Sequence, residues 1–222
     1  MAPPKRDAVP VVVFDLDGVL IDSAEANVQA FRYGLEQVGI EIHDPNDILS
    51  LVGYTAHSML ETLGCPPESV SEVFSRYVKP FYLTHLPDLA RPYPGSREVL
   101  EQLREAGFRI SACTSGDRET QTSALQAIGL WDLIEKMQTP DDSQFSKPDV
   151  RYLAELLAKF GEHGDVHHVE DAEVGLLMGR DFGAVTYFAE YGNGCLTGLV
   201  TPDHTLKDIS SLPEVILRAV AG

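Results

Sequence analysis

The apolar, β-branched run from Val9 to Phe14 offers water no polar face, and it is followed at once by Asp15-Leu16-Asp17-Gly18. A strand with one wet face alternates apolar and polar residues, whereas one without alternation must be covered on both sides. Strands of that kind lie inside parallel sheets, and parallel strands need long crossover connections, usually helices. The first few residues therefore already argue for an α/β chain with its first strand deep in the sheet.

The remaining pattern supports this and interrupts it once. A helix is expected from Ser23 to about Val38, with Ala26, Ala30, Phe31, Leu35 and Val38 on one face and Gly39 as the stop. From Asp44 to Pro92 the periodicity is helical only. One or two short helices should end at Gly64, and a longer one should carry Val70, Val73, Phe74, Tyr77, Val78 and Phe81. After Pro92-Tyr93-Pro94-Gly95 helices and strands alternate. Helices are expected at Arg97–Ala106, Glu119–Ile128, Val150–Phe160, Val174–Phe182 and Pro213–Val220. Strands are expected at Arg109–Thr114, Glu135–Gln138, Val166–Val169 and Ala184–Phe188. The expected fold class is α/β, a Rossmann-like parallel sheet core carrying an inserted helical segment. Residues 1–22 and 93–222 form the core and residues 23–92 the insertion.

Composition narrows the function classes. With 17 Lys+Arg against 34 Asp+Glu the chain carries a formal net charge of −17, the wrong sign for a nucleic-acid binder. The three cysteines, Cys65, Cys113 and Cys195, are odd in number and form no C-x-x-C, so neither a disulfide framework nor a zinc knuckle is expected. Met1 to Pro10 lacks the apolar stretch of a signal peptide, and no apolar run reaches the ~18 residues of a membrane span. A soluble cytoplasmic protein, monomer or homodimer, with no nucleic-acid or membrane partner is the expectation.

Ligands of parallel α/β sheets gather at the carboxyl ends of the strands. Here those ends carry Asp15-Leu16-Asp17-Gly18, Thr114-Ser115-Gly116 and Glu170-Asp171, with Lys147 in the loop before a helix. Each has a plain structural reading: Asp-Gly as a turn, Thr114, Ser115, Glu170 or Asp171 as a helix cap, the lysine as a solvated charge. Their recurrence at successive strand ends weighs against that reading for the whole set. Carboxylates converging on one edge repel one another and call for a hard divalent cation such as Mg²⁺. A lysine, small hydroxyls and backbone N–H groups suit phosphate oxygens. Together they describe phosphoryl transfer. Gly192-Asn193-Gly194 lacks the spacing and following helix of a dinucleotide loop and is set aside.

The segment Val11-Val12-Val13-Phe14-Asp15-Leu16-Asp17-Gly18-Val19-Leu20-Ile21-Asp22-Ser23 resembles the first signature of the haloacid dehalogenase-like hydrolases, an apolar strand followed by Asp-x-Asp-Gly-Val/Thr. Thr114, Lys147-Pro148 and Glu170-Asp171 with Gly175 are similar to its second, third and fourth motifs, in order. Pro92-Tyr93-Pro94-Gly95 is similar to the phosphoglycolate phosphatase and β-phosphoglucomutase branches. The resemblance implies that Asp15 is the nucleophile and a Mg²⁺ ligand, and that Asp17 is the general acid/base and lends the metal its carbonyl. It implies that Thr114, Ser115 and Gly116 hold the phosphate, that Lys147 steadies nucleophile and phosphoryl oxygens, and that Asp171 and Glu170 serve the metal. The insertion becomes a cap that chooses a small-molecule phosphate ester. Dehalogenases and phosphonate-cleaving relatives lack the second aspartate, so Asp17 argues for a phosphatase. Lys147-Pro148-Asp149-Val150-Arg151 departs from the common Lys-Pro-x-Pro-Asp, which leaves Asp149 and Arg151 outside the site.

Two other functions are compatible with the motifs. A sugar-phosphate mutase of the β-phosphoglucomutase type would carry an arginine after a cap glycine, where this chain has Gly53-Tyr54-Thr55-Ala56. A non-catalytic interaction protein on the same fold would be free to lose Asp15 or Asp17, and both are present. The insertion holds only Arg32, Arg76, Lys79 and Arg91 as cations, which favours a sugar or polyol phosphate over a carboxylated ester. His57, His85, His167 and His168 are expected to serve packing or surface rather than ligation.

Overall fold

The computed structural model describes residues 8–221. In chain order its strands and helices are β1 (Val11–Phe14), β2 (Ile21–Asp22), α1 (Ala24–Glu36), α2 (Asn46–Leu49), α3 (Ala56–Thr62), α4 (Val70–Val73), a π-helical turn (Phe74–Val78), α5 (Lys79–Leu89), β3 (Arg91–Pro92), α6 (Ser96–Glu105), β4 (Arg109–Cys113), α7 (Arg118–Ala127), β5 (Lys136–Gln138), α8 (Val150–Ala158), β6 (Val166–Glu170), α9 (Glu173–Phe182), β7 (Val185–Ala189), β8 (His204–Leu206) and α10 (Leu212–Ala221). The reading of the amino terminus as free of a leader falls largely on residues 1–7, which lie outside the described residues.

Six strands form one parallel sheet in the order β5-β4-β1-β6-β7-β8. β1 is central and wholly buried, as a strand without a polar face must be. Val12 and Phe14 join a cluster with Leu100 and Leu103 of α6 and Ile216 of α10. Val11 and Val13 join the opposite cluster with Tyr152 and Leu156 of α8 and Met178 of α9. Each such side chain contributes roughly 1.5–3 kcal/mol by leaving water. The register aligns Phe14 with Ala112 and with Val169, so the chain leaves β4, β1 and β6 at one edge with Asp15 level with Glu170.

The core elements form where the periodicity places them, with ends shifted by one or two residues. The longer helix expected from Val70 runs on to Leu89 through the π-helical turn. Pro80 explains that turn: it has no N–H to donate and its ring crowds the carbonyl four residues back, and a wider turn relieves both.

Two expectations are corrected. The stretch to Pro92 was expected to be helical throughout, yet Arg91–Pro92 pairs antiparallel with Ile21–Asp22 as a two-residue ribbon. A sixth sheet strand, β8, extends the edge beside β7. Neither is long enough to show a period of two. The helices α1 to α5 lie between the two strands of the ribbon, which therefore clasps the points where the chain leaves the sheet and returns to it.

Candidate active site

Asp15 is the first residue beyond β1, and its N–H donates to the Val169 carbonyl at 2.9 Å, which continues the ladder by one residue and fixes the carboxylate at the sheet edge. Lys147 comes from the loop before α8. Its side chain is fully enclosed, and its Nζ lies 2.8 Å from Asp15 Oδ1 while also donating to Glu170 Oε1. Burial alone would depress the ammonium, but the charges of Asp15 and Glu170 outweigh it and hold Lys147 protonated well above its usual range. The lysine therefore separates two buried carboxylates that could not otherwise both be charged.

Asp171 follows Glu170 at the end of β6. Its Oδ2 accepts from the N–H groups of Asn193 (2.9 Å) and Gly194 (3.2 Å). Burial and the charge of Asp15 push its carboxyl up to about 7 against the pull of those two N–H groups. Burial and Asp15 raise Glu170 well above the carboxylate range as well. Neither residue caps α9, whose N-cap is Ala172. Gly175 lies against the Glu170 carboxylate, where a Cβ would overlap it, so the fourth-motif glycine makes room for that acid.

Oxygens of Asp15, Glu170 and Asp171 come within 4.8 Å of one another. Glu170 Oε2 and Asp171 Oδ1 are buried without a hydrogen-bond partner. Leaving such buried oxygens unpaired is costly. A hard oxygen donor set with orphaned lone pairs is what a divalent cation such as Mg²⁺ satisfies, and these residues fit one.

Asp17 stands on the other side of the turn, in the wall of a cavity between the sheet edge and the helices α1, α3 and α5. Its Oδ1 accepts from Ser23 Oγ and its Oδ2 from Gln121 Nε2 at 2.7 Å. Asn27 in turn donates to Ser23 at 3.1 Å. Burial raises the Asp17 carboxyl above the ordinary value, the Ser23 bond opposes that, and the Asp15 charge adds to it. Such a group keeps a proton more readily than a solvated aspartate.

Thr114, Ser115 and Gly116 line the same cavity. Thr114 Oγ1 accepts from the Gly116 N–H at 3.1 Å, and the Thr114 carbonyl accepts from Tyr152 at 2.7 Å. Ser115 is committed elsewhere: its hydroxyl donates to the Gly53 carbonyl at 2.6 Å, bridging the sheet edge to the loop before α3. Neither hydroxyl caps a helix. Asp117 does, accepting from the Thr120 N–H at 3.3 Å to open α7. Asp149 caps α8 and pairs with Arg151, away from the cluster, so the departure in the third motif starts a helix and leaves Lys147 in place. His167 and His168 are buried in β6. His167 Nδ1 lies 2.9 Å from the Tyr187 hydroxyl, and burial lowers the two imidazoles to about 4 and about 3, so both are neutral packing groups. The three cysteines are free.

A family model described as haloacid dehalogenase-like hydrolase matches residues 12–189, a span that contains every one of these side chains except the glycine and asparagine backbone beyond it. The chain belongs to the haloacid dehalogenase-like hydrolase family. Among relatives, a phosphoglycolate phosphatase of Agrobacterium fabrum is 27% identical over 227 residues, covering 98% of this chain and 96% of that protein. A pyrophosphatase PpaX of Halalkalibacterium halodurans is also 27% identical, covering 92% of this chain and 95% of its own length. The crystal structure of a predicted phosphoglycolate phosphatase from Haemophilus somnus superposes with a TM-score of 0.85 at 21% identity, covering 94% and 98% of the two chains, and establishes the likeness of fold. Sequence reasoning placed Ser23 at the end of the first motif without its bond to Asp17, and it missed three groups, Gln121 on Asp17 and the N–H groups of Asn193 and Gly194 on Asp171. The only signal for the last pair was Gly192-Asn193-Gly194, a compact loop whose use is to seat a carboxylate. No helix among the described residues is long and apolar enough to cross a membrane.

Proposed function

We propose that this protein is a Mg²⁺-dependent phosphatase that hydrolyses a small phosphorylated metabolite of sugar or polyol phosphate type through an aspartyl phosphate on Asp15. The observation that carries the reading is the fully buried Lys147 holding Asp15 beside Glu170 and Asp171, with Asp17 across the turn. Phosphatase names among relatives that match nearly the whole chain support it.

In this mechanism an Asp15 oxygen attacks phosphorus and the bond to the leaving oxygen breaks. Asp17 gives its proton to the departing alkoxide, which leaves as the alcohol. Asp17, now ionised, takes a proton from water, whose oxygen attacks phosphorus, breaks the acyl phosphate and frees inorganic phosphate and Asp15. Splitting one displacement in two and supplying the proton from a positioned carboxyl lowers both barriers. Lys147, Thr114 and the backbone through Ser115 and Gly116 would hold the phosphoryl oxygens. Mg²⁺, held by Asp15, Asp171, Glu170 and the Asp17 carbonyl, would neutralise charge on the phosphoryl group. Residues 23–92 act as a cap over a core of residues 1–22 and 93–222. The pairing of Ile21–Asp22 with Arg91–Pro92, where the insertion leaves and rejoins the core, supports that division, and Ser115 bonded to Gly53 and Lys79 bonded to Asp117 join the two sides.

Ala56 lines the cavity where a mutase would present a guanidinium, and hydrolysis is preferred over return of the phosphoryl group. The test is phosphate release from an aryl phosphate by wild type and Asp15→Asn, with Mg²⁺, with Ca²⁺ and with chelator. Activity should require Mg²⁺, fall with Ca²⁺ and vanish in Asp15→Asn with the fold retained. Near wild-type turnover by that variant, or full activity in excess chelator, would refute the reading.

A further inference from the structure

We infer that the leaving group is a neutral alcohol bearing a second hydroxyl, and that Gln121 selects it. The inference rests on the phosphatase reading and specifies its substrate.

Three observations converge in the cavity beside Asp17. First, its helical wall is mostly apolar, with Phe31, Val52, Met59, Phe74 and Val78 facing the space above Asp17. Second, its lining contains a single cation, Lys79, and that cation is already neutralised. Lys79 Nζ sits 2.8 Å from Asp117 Oδ1 and 2.8 Å from Glu119 Oε2. The insertion's other cations, Arg32, Arg76 and Arg91, are not among the residues that line the cavity. A carboxylated leaving group would enter with no free positive charge to meet it and with Asp17 and Asp117 in the wall. Like charges brought together in a dry site discriminate strongly against a partner.

Third, of the described side chains that line the cavity, Gln121 alone keeps a buried polar atom without a partner, its Oε1. Facing the ionised Asp17, its Nε2 donates to Asp17 Oδ2, which leaves the other end of the amide as an acceptor. Gly116 lies directly against the Gln121 side chain, and a Cβ there would overlap it, so the amide is held in place. An unpaired acceptor in the cavity wall beside the general acid would be satisfied by a donor close to the scissile oxygen. A hydroxyl supplies one, whereas an ionised carboxylate offers only further acceptors. Gln121 would therefore orient Asp17 with one end and read the substrate with the other.

The experiment compares three esters of nearly equal size with the wild-type enzyme and Mg²⁺: 2-hydroxyethyl phosphate, propyl phosphate and phosphoglycolate, with p-nitrophenyl phosphate as the reference. The hydroxyl should raise kcat/KM over propyl phosphate by about tenfold, the worth of one hydrogen bond to an otherwise unpaired buried acceptor. Phosphoglycolate should be the poorest of the three. Gln121→Met should bring the ratio of hydroxyethyl to propyl ester close to one; its effect on Asp17 falls on both esters and cancels in the ratio. Glu119→Gln, which releases part of the hold on Lys79, should raise phosphoglycolate relative to the hydroxyethyl ester. Equal or better turnover of phosphoglycolate by wild type, or a hydroxyl preference that survives Gln121→Met, overturns the inference and leaves the phosphatase reading intact. No phosphate release from any ester, the aryl reference included, overturns the reading and the inference together.

Discussion

Replacing Lys147 by Met removes the only cation from the buried cluster while keeping most of the side-chain volume. Lys147 is wholly enclosed and touches both Asp15 and Glu170, which are themselves buried. Removing one partner of a buried pair leaves an uncompensated charge and costs about 3–5 kcal/mol, far more than the pair itself contributes over an apolar substitute. The cost should depend on pH in a defined sense. Without the ammonium, the carboxyls of Glu170, already raised by burial, and of Asp171, already at about 7, are pushed higher still. The folded variant then holds protons that the unfolded chain has released, so its stability falls as pH rises through that window. The loss relative to wild type should be largest near pH 8 and shrink as pH is lowered towards 5. His167 also titrates on unfolding but is shared and cancels in the difference, whereas His168, whose imidazole burial and then the Lys147 charge hold low, is less depressed in the variant, which likewise shrinks the loss on acidification. Urea denaturation in chelator, followed by circular dichroism at both pH values, measures the two numbers. Saturating Mg²⁺ should restore part of the loss, since a ligand at ~100 times its Kd contributes about 2.7 kcal/mol. A difference below about 1 kcal/mol at pH 8, or one that grows on acidification, would refute the claim that Lys147 compensates buried charge.

Asp17→Asn should lower kcat by about 10²–10⁴ with little change in substrate KM, because both leaving-group protonation and water activation need the carboxyl; steady-state kinetics with an aryl phosphate and a poorer alkyl leaving group will show it, and an unchanged kcat on the alkyl ester would contradict the role. Gly175→Ala should displace the Glu170 carboxylate that its Cβ would overlap; the apparent Mg²⁺ affinity should weaken by about tenfold or more, as seen when groups supporting a metal site are lost, and an unaltered Mg²⁺ titration would show that Glu170 does not serve the cation.

The sequence by itself was enough for the central strand, the alternation that builds the sheet, and the acids at its edge. The reason is local: a β-branched run with no polar side must be buried, and the residue that ends it must sit where the sheet meets the cavity. Asp15, Thr114, Lys147, Glu170 and Asp171 all stand at such ends or in the loops beside them, and the family resemblance ordered them. Tertiary structure decided what each acid touches. Asp17 is held by Gln121, 104 residues away, and Asp171 by the N–H groups of a loop more than twenty residues on. Lys79 reads in the sequence as one cation of a helical face, and only the approach of α5 to α7 shows that Asp117 and Glu119 neutralise it. The ribbon of Ile21–Asp22 with Arg91–Pro92 and the edge strand His204–Leu206 were likewise hidden, because two or three residues carry no periodicity and their pairing is supplied by neighbours distant in the chain. Burial is written into composition and spacing, but a hydrogen-bond partner is set by the register in which remote segments meet.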